Sequence, residues 1–343
     1  MTRLALLLLL PVTFAAELPT VWVLSTGGTI AGQAASSTTL TQYKSGAIAG
    51  ADLVKAVPEI TSIANVKVEQ IANVGSNNIT IAHWLTLARR INHIFAEDPK
   101  TAGIVVTHGT NTMEETAYFL SLTVKHDRPV VLVGSMRPAN AISADGPLNL
   151  LNAVRVAASP DSRGKGTLVV LNDEINAARD VTKTNTLRVE TFRSPDMGFL
   201  GYVDGDRISY YRTPTRRHTT RSDFDVASLT ELPSVEILYS YVQPNPKLIA
   251  ALTAAGTKGI VMAGTGAGLI SDAEKGAIAK AKGPVIVRSN RTGTGRVPPR
   301  DDYDAMGLIA ADNLNPQKAR VLLMLALTKT SDPKQIQRIF DEY

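Results

Sequence analysis

The 343-residue chain contains no cysteine. That excludes disulfides, thiolate zinc sites, iron–sulfur clusters and a cysteine nucleophile. Histidine is scarce, at His83, His93, His108, His126 and His218, and no pair has the H-E-x-x-H spacing of a zinc protease. There is no G-x-S-x-G nucleophile elbow. Phosphate-binding glycine motifs are also missing. Gly27-Gly-Thr-Ile-Ala-Gly32 has Thr29 where G-x-G-x-x-G needs its second glycine, and Gly264-Thr-Gly-Ala-Gly268-Leu269 lacks the last one. No G-x-x-x-x-G-K-[ST] run occurs, so neither a nucleotide cofactor nor a metal is expected. A strong charge excess is absent as well. The net charge of +5 is spread along the chain and gives little ground for a nucleic-acid partner. What remains is an ordinary globular balance, 44% hydrophobic and 20% charged, which excludes disorder, collagen-like repeats and coiled coil.

The N-terminus reads MTRLALLLLLPVTFAA, with Arg3 before an apolar run from Leu4 to Val12 and small residues Thr13 and Ala15 ahead of a cut after Ala15. This is the pattern of a secretory signal peptide over residues 1–15. The run is shorter than the ~20 residues needed to span a bilayer. The expectation is a soluble exported protein, periplasmic or secreted, with no membrane partner.

Short, uniformly apolar runs alternate with helical patterns. Strands are expected at Val21–Leu24, Gly103–Val106, Pro129–Val133 and Gly166–Leu171, and helices at Trp84–Phe95, Met113–Val124 and Leu148–Ala158. Such alternation predicts an α/β fold with a mainly parallel sheet covered by helices on both faces. From Phe192 to Pro233 the pattern weakens into glycines, prolines and the basic residues Arg212, Arg216, Arg217 and Arg221, read as a hairpin followed by a solvated linker. Alternation then resumes, with strands at Val235–Tyr239, Gly259–Met262 and Val285–Val287 and helices at Ala273–Lys282 and Pro316–Leu327. The expected organisation is a larger N-terminal α/β domain over 18–211, a linker over 212–231 and a smaller C-terminal α/β domain over 232–343.

In open parallel sheets, ligands bind beyond the carboxyl ends of the strands. Here those positions are rich in hydroxyls: Ser25, Thr26 and Thr29 after the first strand, and Thr107, Thr110 and Thr112 after the second. With the other nucleophile motifs missing, a threonine on a glycine turn is left as the candidate. It needs a base or a neighbouring cation, and Lys183 is a candidate for that part. Taken singly, each of these threonines also reads as a turn cap and Lys183 as a surface lysine.

Several stretches together resemble the bacterial type II L-asparaginases and their glutaminase-asparaginase relatives. They are Ser25-Thr-Gly-Gly-Thr-Ile-Ala-Gly32, Val106-Thr-His-Gly-Thr-Asn-Thr-Met-Glu-Glu-Thr-Ala-Tyr118, Gly134-Ser-Met-Arg-Pro138, Ser143-Ala-Asp-Gly-Pro147, Asp180-Val-Thr-Lys-Thr-Asn185 and Leu314-Asn-Pro-Gln-Lys-Ala-Arg-Val-Leu-Leu323. The resemblance spans the chain after the leader. It implies a two-domain α/β fold, a homotetramer arranged as a dimer of dimers, and hydrolysis of the carboxamide of a small-molecule substrate. That substrate would be L-asparagine, with L-glutamine as the alternative. By position, Thr29 would be the nucleophile and Tyr43 would take its proton. Thr110 and Lys183 would form a second hydroxyl–ammonium pair, with the backbone at Thr29 and Thr110 holding the oxyanion. Gly28, Ser76, Asn77, Thr110 and Asn111 would contact substrate, Ser76 at its α-carboxylate and Asn77 near its α-amino group.

Three positions depart from that pattern. Asn111 stands where the family has an aspartate paired with the substrate α-ammonium. Ala267 stands where a neighbouring subunit supplies asparagine or serine. Arg300, beside Asp301 and Asp302, falls where a neighbouring glutamate is expected, in a loop about two residues shorter. Chemistry is thus expected to be retained and recognition altered. The uncharged Asn77 leans toward asparagine over glutamine. The competing class is a periplasmic amino-acid-binding protein, which would need no threonine–lysine pair.

Overall fold

The structure, a computed structural model, describes residues 17–343; the expected leader at 1–15 lies outside the described residues. The large sheet contains, in chain order, β1 (Thr20–Gly27), β2 (Asn65–Val74), β3 (Thr101–Thr107), β4 (Val130–Val133), β5 (Thr167–Leu171), β6 (Glu174–Ala177), β7 (Gly201–Asp204) and β8 (Arg207–Tyr210). Their spatial order is β8-β7-β6-β5-β4-β3-β1-β2. The pairs from β2 through β1, β3 and β4 to β5 are parallel, and those from β5 through β6 and β7 to β8 are antiparallel. A second sheet, all parallel, runs β9 (Val235–Tyr239), β10 (Gly259–Gly264), β11 (Val285–Asn290) and β12 (Ile309–Ala310).

Sequence explains the change of direction. At the end of β5, Asn172 and Asp173 both take positive φ, 51° and 63°. Two such residues in succession suit the tight turn whose twist matches a hairpin, and Asn and Asp tolerate that conformation best after glycine. β6 therefore folds straight back on β5. The sequence reading expected no strand there, and none at β2, an edge strand whose residues are all exposed or half-buried. β2 has no uniform apolar run because one of its sides faces solvent.

The helices that matter for the site are α1 (Ile81–Glu97), α2 (Met113–Thr123), α3 (Gly146–Ala158), α4 (Lys247–Ala254), α5 (Asp272–Lys280), α6 (Pro316–Ala326) and α7 (Pro333–Glu342). α1 buries Trp84, Leu85, Leu87, Ala88, Ile91, Ile94 and Phe95 along one stripe. α2 is buried on nearly every side, since the large sheet lies on one face and α6 of the second domain on another. One apolar cluster therefore runs through both domains, from Leu24 and Ile104 to Leu322 and Phe340. No helix among the described residues is long and apolar enough to cross a membrane.

Polar contacts reinforce this junction. Asn315 caps α6 by accepting from the Lys318 backbone N–H at 3.1 Å, and Pro316 occupies the first helical position, where its missing N–H costs nothing. Lys318 is fully buried, and its ammonium donates to the carbonyls of Arg179 (2.8 Å) and Val181. Burial pushes its pKa down to about 8. Lys318→Met would leave both carbonyls without that donor inside the protein. The expected loss is about 3 kcal/mol of stability, read as a lower urea midpoint at unchanged slope; an unchanged midpoint would show that the lysine is not holding the junction.

Candidate active site

The order β2-β1-β3-β4-β5 makes the gap beyond β1 and β3 a topological switch point, because the chain leaves these neighbouring strands in opposite directions. The hydroxyl-rich turns expected from sequence sit there. Their close approach depends on glycine. Gly28 has φ 84°, and a Cβ on it would lie 2.3 Å from the Cα and N of Gly109. A Cβ on Gly109 would lie 2.7 Å from Ser76 Oγ. The turns after β1, β2 and β3 thus converge, and Thr29 (7% exposed), Ser76 (4%) and Thr110 (4%) are buried together.

Two hydroxyl pairs result. Thr29 Oγ1 lies 2.8 Å from Tyr43 Oη. Tyr43 is held by a short antiparallel pairing of Gln33–Ala34 with Tyr43–Lys44. That loop is anchored in turn by Asn140, whose side chain exchanges two hydrogen bonds with the Ala34 backbone, at 2.9 and 2.8 Å. In the second pair, Lys183 Nζ donates to Thr110 Oγ1 at 2.8 Å and to Asn111 Oδ1 at 2.9 Å. Lys183 is half-buried rather than a surface lysine. Burial lowers its pKa, and the charge of Glu114 partly restores it. The backbone N–H groups of Thr29 and Thr110 have no protein acceptor among the described residues, which leaves them available as donors.

Ser76 and Asn77 differ in their surroundings. Ser76 Oγ accepts from the Asn111 backbone N–H at 3.0 Å, and its carbonyl accepts from Thr112 Oγ1 at 2.8 Å. Ser76 thus ties the second turn to the third, with its own hydroxyl proton still to donate. Asn77 is exposed. Asn111, Lys183, Thr184, Asn185 and Thr186 line an open groove of about 460 Å³. Ala267 is exposed in the turn between Thr265 and Leu269, and Arg300 pairs with Asp302 at 3.0 Å.

His108 lacks zinc-binding spacing in the sequence, and its place is structural. It is fully buried, and burial pushes its pKa down to about 4. Its Nδ1 meets the Gly109 carbonyl at 2.7 Å, which can only accept, so Nδ1 carries the proton. Nε2 therefore accepts from Thr116 Oγ1 (2.9 Å), which itself accepts from Trp84 Nε1 (2.8 Å). This chain of bonds fixes the turn that presents Thr110. Its sequence signal is a histidine directly before the glycine of a strand-end turn.

The chain is similar to known proteins over most of its length. The family model "Asparaginase, N-terminal" matches residues 20–216, and "Glutaminase/Asparaginase C-terminal domain" matches residues 234–340. The chain is 57% identical over 329 residues to "L-asparaginase 2" of Bacillus subtilis, covering 95% of this chain and 87% of that protein. It is 50% identical over 334 residues to "Probable L-asparaginase periplasmic" of Haemophilus influenzae, covering 96% and 94%. A crystal structure of a probable cytoplasmic L-asparaginase from Campylobacter jejuni superimposes with a TM-score of 0.93 at 50% identity, covering 95% of this chain and all of that one. By motif, fold and both domain matches, the chain belongs to the asparaginase family.

Proposed function

We propose that this protein is an L-asparaginase, hydrolysing L-asparagine to L-aspartate and ammonia with Thr29 as nucleophile. The observation that carries the reading is the pair of hydroxyl contacts, Thr29–Tyr43 and Thr110–Lys183, each 2.8 Å long and on neighbouring turns of the switch point. A solute-binding protein has no need of them.

The chemistry follows from what a carboxamide requires. Its carbon is a poor electrophile, so attack needs a nucleophile, a proton acceptor and donors for the developing oxyanion. Thr29 Oγ1 bonds to the amide carbon as its proton passes to Tyr43 Oη, which hands its own phenolic proton on toward the leaving nitrogen. The backbone N–H groups of Thr29 and Thr110 donate to the carbonyl oxygen as negative charge collects on it. The C–N bond breaks as the leaving nitrogen gains a proton, giving ammonia and an ester on Thr29. Water, held beside the Thr110–Lys183 pair, then attacks the ester; its proton returns through Tyr43 to Thr29 Oγ1 as the ester bond breaks, and aspartate leaves with Thr29 restored. Gly28 and Ser76 line the substrate's other end, with Ser76 donating to the α-carboxylate and Asn77 and Asn111 beside the α-amino group.

The same reading includes export through the 1–15 leader and assembly as a dimer-of-dimers tetramer. Similar proteins bear both a periplasmic and a cytoplasmic name, so the leader is the feature that favours export here. Light scattering and intact mass on exported protein test both points. Four copies per particle, each starting near Ala16 or Glu17, are expected; an active monomer or a retained Met1 contradicts the respective claim.

Ammonia release from asparagine and glutamine, measured in parallel, tests the activity itself. Thr29→Ala should lower turnover by roughly 10³-fold or more with the fold intact, while Thr29→Ser keeps part of the rate. Parental rates in Thr29→Ala would remove Thr29 from the mechanism. Faster release from glutamine would favour the glutaminase reading.

Asn111 gives the sharpest test of recognition. An amide beside a desolvated ammonium compensates only part of the cost of burying it. Asn111→Asp should raise kcat/KM on asparagine by roughly 10- to 100-fold, mostly through KM. The new carboxylate would also pair with Lys183 Nζ, now 2.9 Å from Asn111 Oδ1, and hold its proton more tightly. A change confined to kcat would therefore report on Lys183 rather than on the substrate. No gain at all would mean that Asn111 does not meet the α-amino group.

A further inference from the structure

Tyr43 stands in a loop that has little to hold it. Between Gln33 and Ser45 the only buried residue is Ala34. Both ends of the loop are tied to the first turn. The Gly32 N–H donates to the Thr29 carbonyl at 2.8 Å, and the Gly46 N–H donates to the Gly28 carbonyl at 3.1 Å. With so little burial between these ends, hydrogen bonds decide where Tyr43 lies.

Those bonds converge on Ala34, which is the register partner of Tyr43 in the short antiparallel pairing. The Tyr43 ring also lies against Gly32, where an added Cβ would stand 2.9 Å from it. In extended backbone the N–H and C=O of one residue point to the same side. Ala34 spends both on Asn140: its N–H donates to Oδ1 at 2.9 Å, and its carbonyl accepts from Nδ2 at 2.8 Å. A primary amide carries a donor and an acceptor side by side, so it meets this pair of groups as a neighbouring strand would. Apart from Thr29, Asn140 is the one side chain from outside the loop that hydrogen-bonds to it among the described residues.

Asn140 has a firm footing. Asp145, at the start of α3, accepts from the backbone N–H groups of Met136 (2.8 Å) and Arg137 (2.9 Å). Ser135 Oγ donates to the Arg137 carbonyl at 2.6 Å. Beside Asn140, the Ala139 N–H donates to the Gly32 carbonyl at 2.9 Å and the Ile142 N–H to the Ser37 carbonyl at 2.8 Å. The segment is thus pinned at one end to α3 and laid along the loop at the other. Asn140 itself is exposed, so replacing it opens no cavity.

We propose that Asn140 is a positioning residue for the reaction, a role that rests on Thr29 and Tyr43 being the nucleophile and its proton acceptor, as proposed. Its side-chain amide latches the loop in the arrangement that sets Tyr43 Oη against Thr29 Oγ1. Asn140 makes no contact with substrate. Gly28, Ser76, Asn77 and Asn111 lie off the loop, so the latch governs proton transfer rather than substrate binding.

The test uses the full exported chain. Asn140→Ala removes both side-chain bonds and leaves the Ala139 and Ile142 backbone bonds in place. On asparagine, kcat should fall roughly tenfold, the effect of two ordinary hydrogen bonds, with KM within about twofold and the urea midpoint close to parental. Asn140→Asp gives a readout that simple damage would not move. Its protonated carboxyl still donates to one Ala34 group and accepts from the other, whereas the ionised form turns an acceptor toward the Ala34 carbonyl. The ratio of its kcat to the parent's should therefore be highest below about pH 4 and fall toward the Asn140→Ala level as pH rises through the carboxyl range. Trypsin reports on the loop without any catalysis, since Lys44 is the only lysine or arginine between Arg3 and Lys55. Nicking after Lys44 should be at least about fivefold faster in Asn140→Ala. Tyr43→Phe separates the two claims: a parental kcat there sinks the Tyr43 reading whatever Asn140 does. With Tyr43→Phe slowed, an unchanged kcat in Asn140→Ala overturns the latch, as do parental nicking and an Asn140→Asp ratio that is flat with pH.

Discussion

Everything at the candidate active site depends on how closely two backbones can approach at the end of the sheet. Gly28 and Gly109 touch where any side chain would collide, and a Cβ on Gly27 would lie 2.7 Å from the Val74 backbone. Without that contact the turns after β1 and β3 would stand apart by at least a methyl group, and Thr29 and Thr110 would no longer share one space. The glycines therefore act through distance as much as through φ. The buried His108 bonds and the Ser76 bridge then hold the third turn against the second, so that the reacting groups are placed before any substrate arrives.

The second domain contributes to this site without placing a proposed catalytic side chain in it. The segment from Arg179 to Lys183 leaves the sheet after β6 and would be an ordinary loop if nothing held it. Lys318 binds its carbonyls, Asn315 lies 3.4 Å from Thr182 Oγ1, and Arg179 donates to Asn313 and to the carbonyl of Tyr343. Every one of these partners lies beyond β12 in the C-terminal domain. The position of Lys183 is thus set jointly by its antiparallel pairing with Phe192 and by packing between domains, which explains why the motif at Leu314–Leu323 belongs to the same set as the strand-end motifs.

Much of this was legible in the sequence because parallel, doubly covered strands leave an unmistakable trace. β1, β3, β4 and β5 each carry a short run of consecutive apolar residues, followed directly by a glycine, hydroxyl or amide residue. The candidate residues were legible through resemblance rather than periodicity: nothing in the spacing of Thr29, Tyr43 and Lys183 requires them to meet. β2 was illegible because an edge strand half-open to solvent loses that uniformity, and β6 because Glu174 and Asn176 leave it without an apolar run. The partners of the basic cluster were illegible for a different reason. Arg216 and Arg217 find their acids at Asp312, Asp223 and Glu342, and the pairs to Asp312 and Glu342 cross nearly a hundred residues or more, a relation that local charge patterning cannot express.

Asn111 joins these strands of argument. Its backbone N–H is spent on Ser76 and its side-chain oxygen on Lys183, so it is a fixed part of the turn whatever its charge. An amide there leaves Lys183 without a carboxylate in hydrogen-bond contact. The charge that opposes desolvation of the ammonium is then Glu114, at the start of α2. Glu114 is itself buried and accepts from Gln317 Nε2 at 2.8 Å and Asn315 Nδ2 at 3.3 Å, both at the start of α6. In this chain, therefore, the electrostatic support of Lys183 passes through the domain junction. Loosening α6 would disturb not only where Lys183 sits but how firmly it holds its proton, because the carboxylate that supports it would be released into water, where its field is screened.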